Sequence, residues 1–132
     1  MIGRDAFLPI EGEDYDGQSG ASRIDCDDAD LGQTAAVTGG GSVFYDVVDF
    51  GEAGAHGVQL RVQAPTATTV ALYAGPASGP PGGTSVAIGN CAISATGRAW
   101  ATQSCRLTHT TDVHTLYLVF AGAANLNWLQ FH

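Results

Sequence analysis

Two segments near the carboxyl end, residues 115–122 and 125–131, alternate large apolar side chains with polar or small ones. An alternation with a period of two residues is typical of β-strands that bury one face. Similar short segments recur along the chain with Gly- and Pro-containing turns between them, which predicts an antiparallel β-sandwich or jelly roll. We expect strands at residues 8–15, 42–50, 57–64, 68–74, 84–91, 99–107, 113–121 and 126–132.

The intervening segments add little regular structure. Residues 16–41 are polar and rich in Gly and Asp, so they predict at most short strands, and the Pro- and Gly-rich residues 75–83 predict a loop. No linker interrupts the pattern, and 132 residues suffice for one buried core. Residues 1–132 are therefore interpreted as a single domain. Val58, Leu60 and Val62 are expected to point into its core.

The net charge of −8 narrows the range of partners. Nucleic acid requires a basic surface that neutralises phosphates, so nucleic-acid binding is not expected. Anionic membrane surfaces are disfavoured for the same reason, and no apolar run is long enough to span a bilayer. The acidity favours solubility, with binding of a metal ion or a cationic ligand as the alternative.

The first residues lack the positive region and apolar core of a signal peptide, so the chain is interpreted as an excised domain. Two of its three cysteines, Cys91 and Cys105, flank a turn-rich stretch at 94–98. They could face each other across a hairpin, within reach of a disulfide, which would imply an exported protein. Cys26 would then be left over. The alternative is that all the thiols are reduced and buried.

A pair of carboxylates opens the chain. Glu11 and Glu13 stand two residues apart, and on a strand they would share one face. Adjacent carboxylates repel each other unless a cation lies between them, and calcium prefers such oxygen ligands. The pair therefore favours a calcium site, with plain surface charge as the alternative. The acidic run at 25–30 is interpreted as a solvated loop, with a second cation site or attraction of a cationic amino sugar as the alternatives.

Catalytic motifs are not apparent. The chain has no Gly-x-Ser-x-Gly elbow, no phosphate loop and no dinucleotide fingerprint. Its histidines lack metal-ligand spacing. Catalytic carboxylates of glycosidases stand across a cleft, roughly 5 to 9 Å apart, and come from different elements, unlike Glu11 and Glu13. We therefore do not expect an enzyme.

The chain resembles the family 6 carbohydrate-binding modules, small β-sandwich domains appended to secreted polysaccharide-degrading enzymes. The resemblance runs from about residue 8 to residue 132. It rests on segments 10–15 and 18–20; on 45–51 and 57–62; on 88–91, 95–97, Trp100 and 104–105; and on 114–120 and 125–131. The resemblance implies a jelly-roll sandwich with a structural calcium. It assigns the calcium to Glu11, Glu13 and Asn127, so that the ion joins the first and last strands.

The resemblance also implies a sugar site in loops at one edge of the sandwich. Its sugar-bonding asparagine corresponds to Asn125, and a polar residue after the first strand corresponds to Gln18. Here the sequence departs from the family pattern, because the region between Cys26 and Ser42 is short and lacks an aromatic residue. Where a second stacking ring is expected, the chain has Gly97 and Arg98. The site would then rely on Tyr45, Arg98 or Trp100.

A second sugar site is also implied, because some members of the family bind glycans on a sheet face. Tyr73 or Tyr117 could serve there. The expected function is therefore a non-catalytic, extracellular module that binds a β-glucan, xylan or agarose-like chain for an attached hydrolase. The alternative is a sandwich that has lost sugar binding and acts as a structural or protein-interaction spacer, which the aromatic-poor loop favours.

Overall fold

Ten β-strands form the described part of the chain. The computed structural model describes residues 4–26, 32–76 and 85–132, and these contain no helix. Accordingly, no helix that could cross a lipid bilayer is found among the described residues. The strands are Arg4–Asp5 (β1), Ile10–Glu11 (β2), Gly17–Asp25 (β3), Gln33–Asp49 (β4), Ala55–Gln63 (β5), Thr68–Gly75 (β6), Val86–Ile93 (β7), Ala101–Thr110 (β8), Val113–Phe120 (β9) and Ala124–Phe131 (β10).

The strands form two layers that share the long strand β4. The order is β7-β6-β9-β4-β10-β5-β8, and β3 lies beside β4. The second half of β4 pairs with β9 from Ser42 to Asp49, whereas its first half pairs with β10 from Ala35 to Val37. The long ladders are antiparallel. The predicted all-β, antiparallel sandwich is confirmed.

Glycines let β4 pass from one layer to the other. Gly40 has a φ of 81°, a left-handed value that a residue with a Cβ adopts at a cost. A Cβ on Gly41 would lie 2.9 Å from the carbonyl oxygens of Ser19 and Thr38. The backbone can therefore turn sharply at Gly40 and Gly41 because these two residues have no side chain.

The core lies between the two layers. Val58 and Val62 are fully buried and Leu60 is 1% exposed, so the inward face predicted for β5 is confirmed. The same core contains Leu126, Leu129 and Phe131 of the neighbouring strand β10, and Leu116, Leu118 and Phe120 of β9. Phe50, which follows β4, packs edge-on against Phe131 of β10 with ring centroids 4.9 Å apart.

The amino-terminal third differs from its prediction. The strand expected at 8–15 is reduced to Ile10–Glu11, because the chain turns at once and the Asp14 amide donates to the Glu11 carbonyl. The segment at 16–41, expected to hold at most short strands, contains all of β3 and the first half of β4. Most β3 side chains are exposed, so no apolar alternation marks this strand in the sequence.

The strand predicted at 42–50 is the second half of β4, which begins earlier, at Gln33. The other predicted strands exist, and their ends lie within a few residues of the predicted ones. Most of the predicted loop at 75–83 and of the acidic run at 25–30 lies outside the described residues.

A disulfide joins the outermost strands of the two layers. Cys91 on β7 and Cys105 on β8 are bonded, with their Cα atoms 5.5 Å apart. These strands do not form the hairpin that the sequence suggested, because β7 pairs with β6 and β8 pairs with β5. The bond instead connects one layer to the other. Cys26 is buried at the end of β3.

Candidate functional site

An open pocket of about 580 Å³ lies at the rim of the sandwich. The end of β5 and the start of β10 meet there with inner residues of β3 and β4 and with the segment that connects β7 to β8. No aromatic residue is among the described residues that line it. These are Gly20, Ala21, Ser22, Ala36, Val37, Thr38, Gln63, Pro65, Gly97, Arg98, Ala123, Ala124 and Asn125.

A chain of side-chain hydrogen bonds crosses one wall of this pocket. The Asn125 Nδ2 donates to Gln63 Oε1 over 2.9 Å, and Gln63 Nε2 donates to the Arg98 carbonyl over 2.7 Å. Asn125 and Gln63 are brought together because their strands pair in register. An amide has two N–H donors and an oxygen acceptor, so the bond to Gln63 uses only part of the capacity of Asn125.

The segment that carries Arg98 is fixed at the end of β5. The Ala64 amide donates to Thr96 Oγ1 over 2.8 Å, and the Thr96 and Gly97 amides both donate to the Ala64 carbonyl. Gly97 has a φ of 62°, which completes a tight turn. The backbone on this side of the pocket is therefore held in one position, while the Arg98 side chain is exposed.

Gln18 supports the opposite wall and does not itself line the pocket. Its Oε1 accepts a hydrogen bond from the Ala21 amide over 2.9 Å. This bond spans the point where β3 shifts register against β4, at Gly20 with a φ of 71°. Gln18 therefore shapes the strand that contributes Ala21 and Ser22 to the pocket.

Tyr45 and Trp100 do not join Asn125 in the pocket. Tyr45 is fully buried, and its hydroxyl donates to the Gly12 carbonyl over 2.7 Å, so the structure corrects its assignment to sugar contact. Trp100 is half-buried immediately before β8 and is not among the lining residues. The structure thus brings Asn125 and Arg98 together and places the other sugar-binding candidates elsewhere.

Sequence reasoning missed Gln63, which connects the two candidates. A signal was present, because Gln63 is a polar residue at an outward position of β5 and Pro65 follows it closely. A polar side chain at the end of a strand, beside a turn, lies at the rim of a sandwich where loops converge.

The carboxylates expected to bind calcium lie beside the last strand. Glu11 is the register partner of Trp128, and the Gly12 amide donates to the Asn127 carbonyl over 2.7 Å. Because β2 ends at Glu11 and a turn follows, Glu11 and Glu13 do not share a strand face as the sequence suggested. Glu11 is exposed, whereas Glu13 is half-buried.

The donor chemistry beside β10 fits a calcium ion. The Glu13 Oε1 is buried and has no hydrogen-bond partner, and Asn127 is only 1% exposed. A buried carboxylate oxygen normally has a partner, and a hard cation would supply one. No group of three or more His, Cys, Asp or Glu side chains suited to a metal occurs among the described residues. The expected ligand set of Glu11, Glu13 and Asn127 falls outside that definition, because it combines only two carboxylates with an amide.

A row of aromatic rings crosses the outer face of the β6-β9-β4 layer. Tyr73 and Phe44 are both register partners of Tyr117, and the Phe44 and Tyr117 centroids are 5.7 Å apart. Glycines flank the row, since a Cβ on Gly17 would overlap the Phe44 ring and one on Gly75 would approach Tyr117. Burial, assisted by the charge of nearby Asp46, raises the pKa of Tyr117.

A two-layered antiparallel sandwich with an open pocket at its rim defines a β-sandwich binding domain as the class of this protein. The model of the carbohydrate binding module family 6 matches residues 11–132. The chain therefore belongs to the family 6 carbohydrate-binding modules. This family is non-catalytic, and its members bind saccharides.

Similar proteins agree with this assignment. The chain is 30% identical to the endo-1,4-beta-xylanase A of Thermoclostridium stercorarium over 97% of its own length and 24% of the xylanase. A family 6 module from Clostridium cellulolyticum in complex with xylose is 30% identical with a TM-score of 0.83, covering 98% of this chain and 99% of that one. A beta-1,3-glucan binding module from Bacillus halodurans is 25% identical with a TM-score of 0.85, covering 99% of each chain.

Proposed function

We propose that this module binds polysaccharide in the rim pocket and keeps an attached, secreted glycoside hydrolase on its substrate. The supporting observation is the hydrogen-bonded series from Asn125 through Gln63 to the Arg98 backbone, which borders an open pocket. Xylan and β-glucan are the first ligands to consider, because similar proteins include a xylanase, a xylose complex and a β-1,3-glucan binder. An agarose-like chain is a further candidate.

Binding would combine polar and apolar contacts. Sugar hydroxyls both donate and accept hydrogen bonds, as does the amide of Asn125. The small residues Ala21, Ala36 and Ala123 would meet the apolar C–H groups of a sugar ring. Without a stacking ring at the pocket, we expect weak affinity for a single chain, since polar contacts largely exchange for bonds to water. Attachment to a hydrolase would still raise the effective concentration of enzyme on an insoluble polymer.

A structural calcium ion forms part of the proposal. Glu13 and Asn127 would provide oxygen ligands, with Glu11 beside them on β2. Such an ion supplies charge neutralisation and crosslinking. These residues lie outside the set that lines the pocket, so the role of the ion would be stability.

An extracellular location fits the disulfide. Disulfides form and persist in oxidising compartments and are rare in the cytosol. The bond between Cys91 and Cys105 therefore supports secretion, as expected of a module that acts on insoluble polysaccharide. The chain spans only about a quarter of the xylanase it matches, which supports a larger parent enzyme.

The aromatic row is a second candidate site. Tyr73, Tyr117 and Phe44 lie side by side on one sheet face, and aromatic faces interact favourably with the slightly positive C–H face of a sugar. Tyr117 is only 8% exposed, which limits its contact area. The rim pocket is therefore the favoured site.

Affinity electrophoresis through gels containing xylan, β-1,3-glucan or agarose tests the rim pocket. We expect at least one polysaccharide to retard the calcium-loaded protein. Asn125→Ala should weaken binding roughly tenfold, because it removes a hydrogen-bonding group from the pocket wall. Asn90→Ala is the matched control, since Asn90 is exposed on β7 outside the pocket, and it should leave migration unchanged.

Other results would change the proposal. Retardation that survives Asn125→Ala but is lost in Tyr73→Ala would move the site to the sheet face. If the folded protein is retarded by none of the polymers, sugar binding is rejected in favour of a structural or protein-interaction spacer.

A further inference from the structure

The described residues that line the rim pocket include a positive side chain and no negative one. Arg98 is the one charged side chain among the described residues that line it, and the other lining residues are small or neutral. This cation stands in a protein whose net charge is −8. No carboxylate lines the described pocket to neutralise it. A ligand in the pocket therefore meets a local positive charge.

Three of the other four arginines are engaged elsewhere, and the fourth, Arg106, is exposed on β8 outside the pocket. Arg4 makes ion pairs with Asp16 over 2.9 Å and with Asp14 over 3.5 Å. The Arg23 guanidinium lies 4.0 Å from the centroid of the Tyr15 ring and donates to backbone carbonyls. Arg61 donates to Thr102 on the neighbouring strand. Arg98 differs because its side chain is exposed at the pocket while its backbone is held.

The fixed backbone of Arg98 favours use as a ligand contact. Gln63 bonds its carbonyl, and the adjoining turn is anchored to Ala64. Little backbone order would then be lost on binding, so the cost of ordering falls mainly on the side chain. A guanidinium offers a planar pair of donors that matches the two oxygens of a carboxylate or a sulfate.

We propose that the rim pocket selects an acidic sugar, whose carboxylate or sulfate ester is bound by Arg98. This inference rests on the proposed sugar-binding function and names the ligand class of that site. The contact would replace part of the attraction that stacking rings would otherwise provide. Because the protein is strongly acidic overall, a dense polyanion is repelled at long range. The favoured ligand is thus a largely neutral chain that bears occasional acidic residues, such as a glucuronic-acid-substituted xylan.

Isothermal titration calorimetry with matched oligosaccharides tests the inference. The probes are a xylo-oligosaccharide bearing one glucuronic acid and the same compound after reduction of its carboxyl group to an alcohol. We expect the acidic form to bind about three- to tenfold more tightly, the range for a partly exposed charge-assisted contact. A sulfated galactan oligosaccharide and its desulfated form show whether sulfate serves instead of the carboxylate.

Variants locate the effect. Arg98→Gln should abolish the preference for the acidic form, and Arg98→Lys should keep part of it, because a lysine retains the charge without the planar fork. Arg106→Gln is the control, since Arg106 is exposed on β8 outside the pocket and its loss changes the net charge equally. The preference should also shrink at high salt.

The outcomes separate this inference from the function on which it rests. Equal affinity for the acidic and neutral members of both pairs, with neutral xylo-oligosaccharide still bound, overturns acid selection and leaves sugar binding intact. A preference that survives Arg98→Gln, or is lost in Arg106→Gln, assigns the effect to overall charge and also overturns it. If no saccharide binds, both proposals fail.

Discussion

Tyr45 joins the core to the turn that follows β2. Its ring is fully buried, its hydroxyl donates to the Gly12 carbonyl, and the Arg4 guanidinium lies 5.7 Å from the ring centroid. Burial raises the pKa of this phenol far above its ordinary value, because the charged form would lose its hydration, and Arg4 offsets only part of the effect. Tyr45 therefore links the stability of the turn to pH.

We predict that Tyr45→Phe flattens the loss of stability at alkaline pH. Above the ordinary tyrosine pKa of 10.0, the unfolded chain releases this proton while the folded protein retains it, so stability is present below that pH and falls as pH rises. The phenol contributes up to about 1.4 kcal/mol per pH unit to that fall. At pH 7 the variant should lose about 1 kcal/mol with the hydrogen bond.

Urea unfolding at several values between pH 7 and pH 11 measures both effects. The difference in alkaline slope between Tyr45→Phe and the original protein isolates the contribution of this one phenol. An alkaline slope that is the same in the variant and the original protein would contradict the assignment to Tyr45.

At the scale of the element, β4 unites the two layers through its glycines. Among the glycines of β4, Gly41 has the least room for a side chain, because a Cβ there would lie 2.9 Å from the backbone oxygens of Ser19 and Thr38. At Gly39 the nearest atom to a Cβ would be the Ala121 oxygen at 3.4 Å, which is close to ordinary contact. Gly41 and Gly39 therefore make a matched pair of test positions: an added Cβ clashes with backbone at Gly41 and nearly fits at Gly39.

We predict that Gly41→Ala lowers the free energy of unfolding by roughly 1 to 3 kcal/mol, because the added methyl group forces backbone to move. Gly39→Ala should change it by about 0.5 kcal/mol or less, since the contact is nearly permissible and the unfolded chain loses freedom. Chemical denaturation of both variants checks the difference. Similar losses in both would mean that the bend of β4 tolerates side chains.

The strands that the sequence predicted correctly are those with one buried face, such as β5 with Val58, Leu60 and Val62. β3 was missed because its residues are small or exposed, so burial left no periodic signal. The assignment of Tyr45 failed for a related reason. Phe44 and Tyr45 are adjacent aromatics, and periodicity alone does not say which of the two faces the core.

The candidate site was predicted only in part for a different physical reason. Asn125 and Arg98 line the pocket, although residues 36 to 38 and Gln63 also do. The pocket depends on which parts of the strands meet in space, and that follows from the path of β4 between the layers. Sequence spacing does not contain this information, whereas a polar residue at a strand end gives a weak local signal.

At the scale of the whole molecule, the proposed calcium would connect β2 to β10 and so the beginning of the described chain to its end. We predict that calcium raises the melting temperature relative to EDTA by on the order of 10 °C at saturating concentration. Glu13→Gln should remove most of this increase, because it removes the charge from a buried oxygen that is proposed as a calcium ligand.

Differential scanning calorimetry in calcium and in EDTA provides the measurement. Glu52→Gln is the control, since Glu52 is an exposed carboxylate in the turn after β4, and it should retain the full calcium effect. Identical melting temperatures with and without calcium for the original protein would reject the structural ion.

The disulfide between Cys91 and Cys105 has a consequence for durability. The segment that bears Gly97 and Arg98 lies inside the covalent ring that this bond closes. A protease that cuts the exposed turn once opens the ring without releasing either piece, because each new end remains attached through a sulfur atom. After such a cut the two fragments would stay covalently joined, and they would separate only when the Cys91–Cys105 disulfide is reduced.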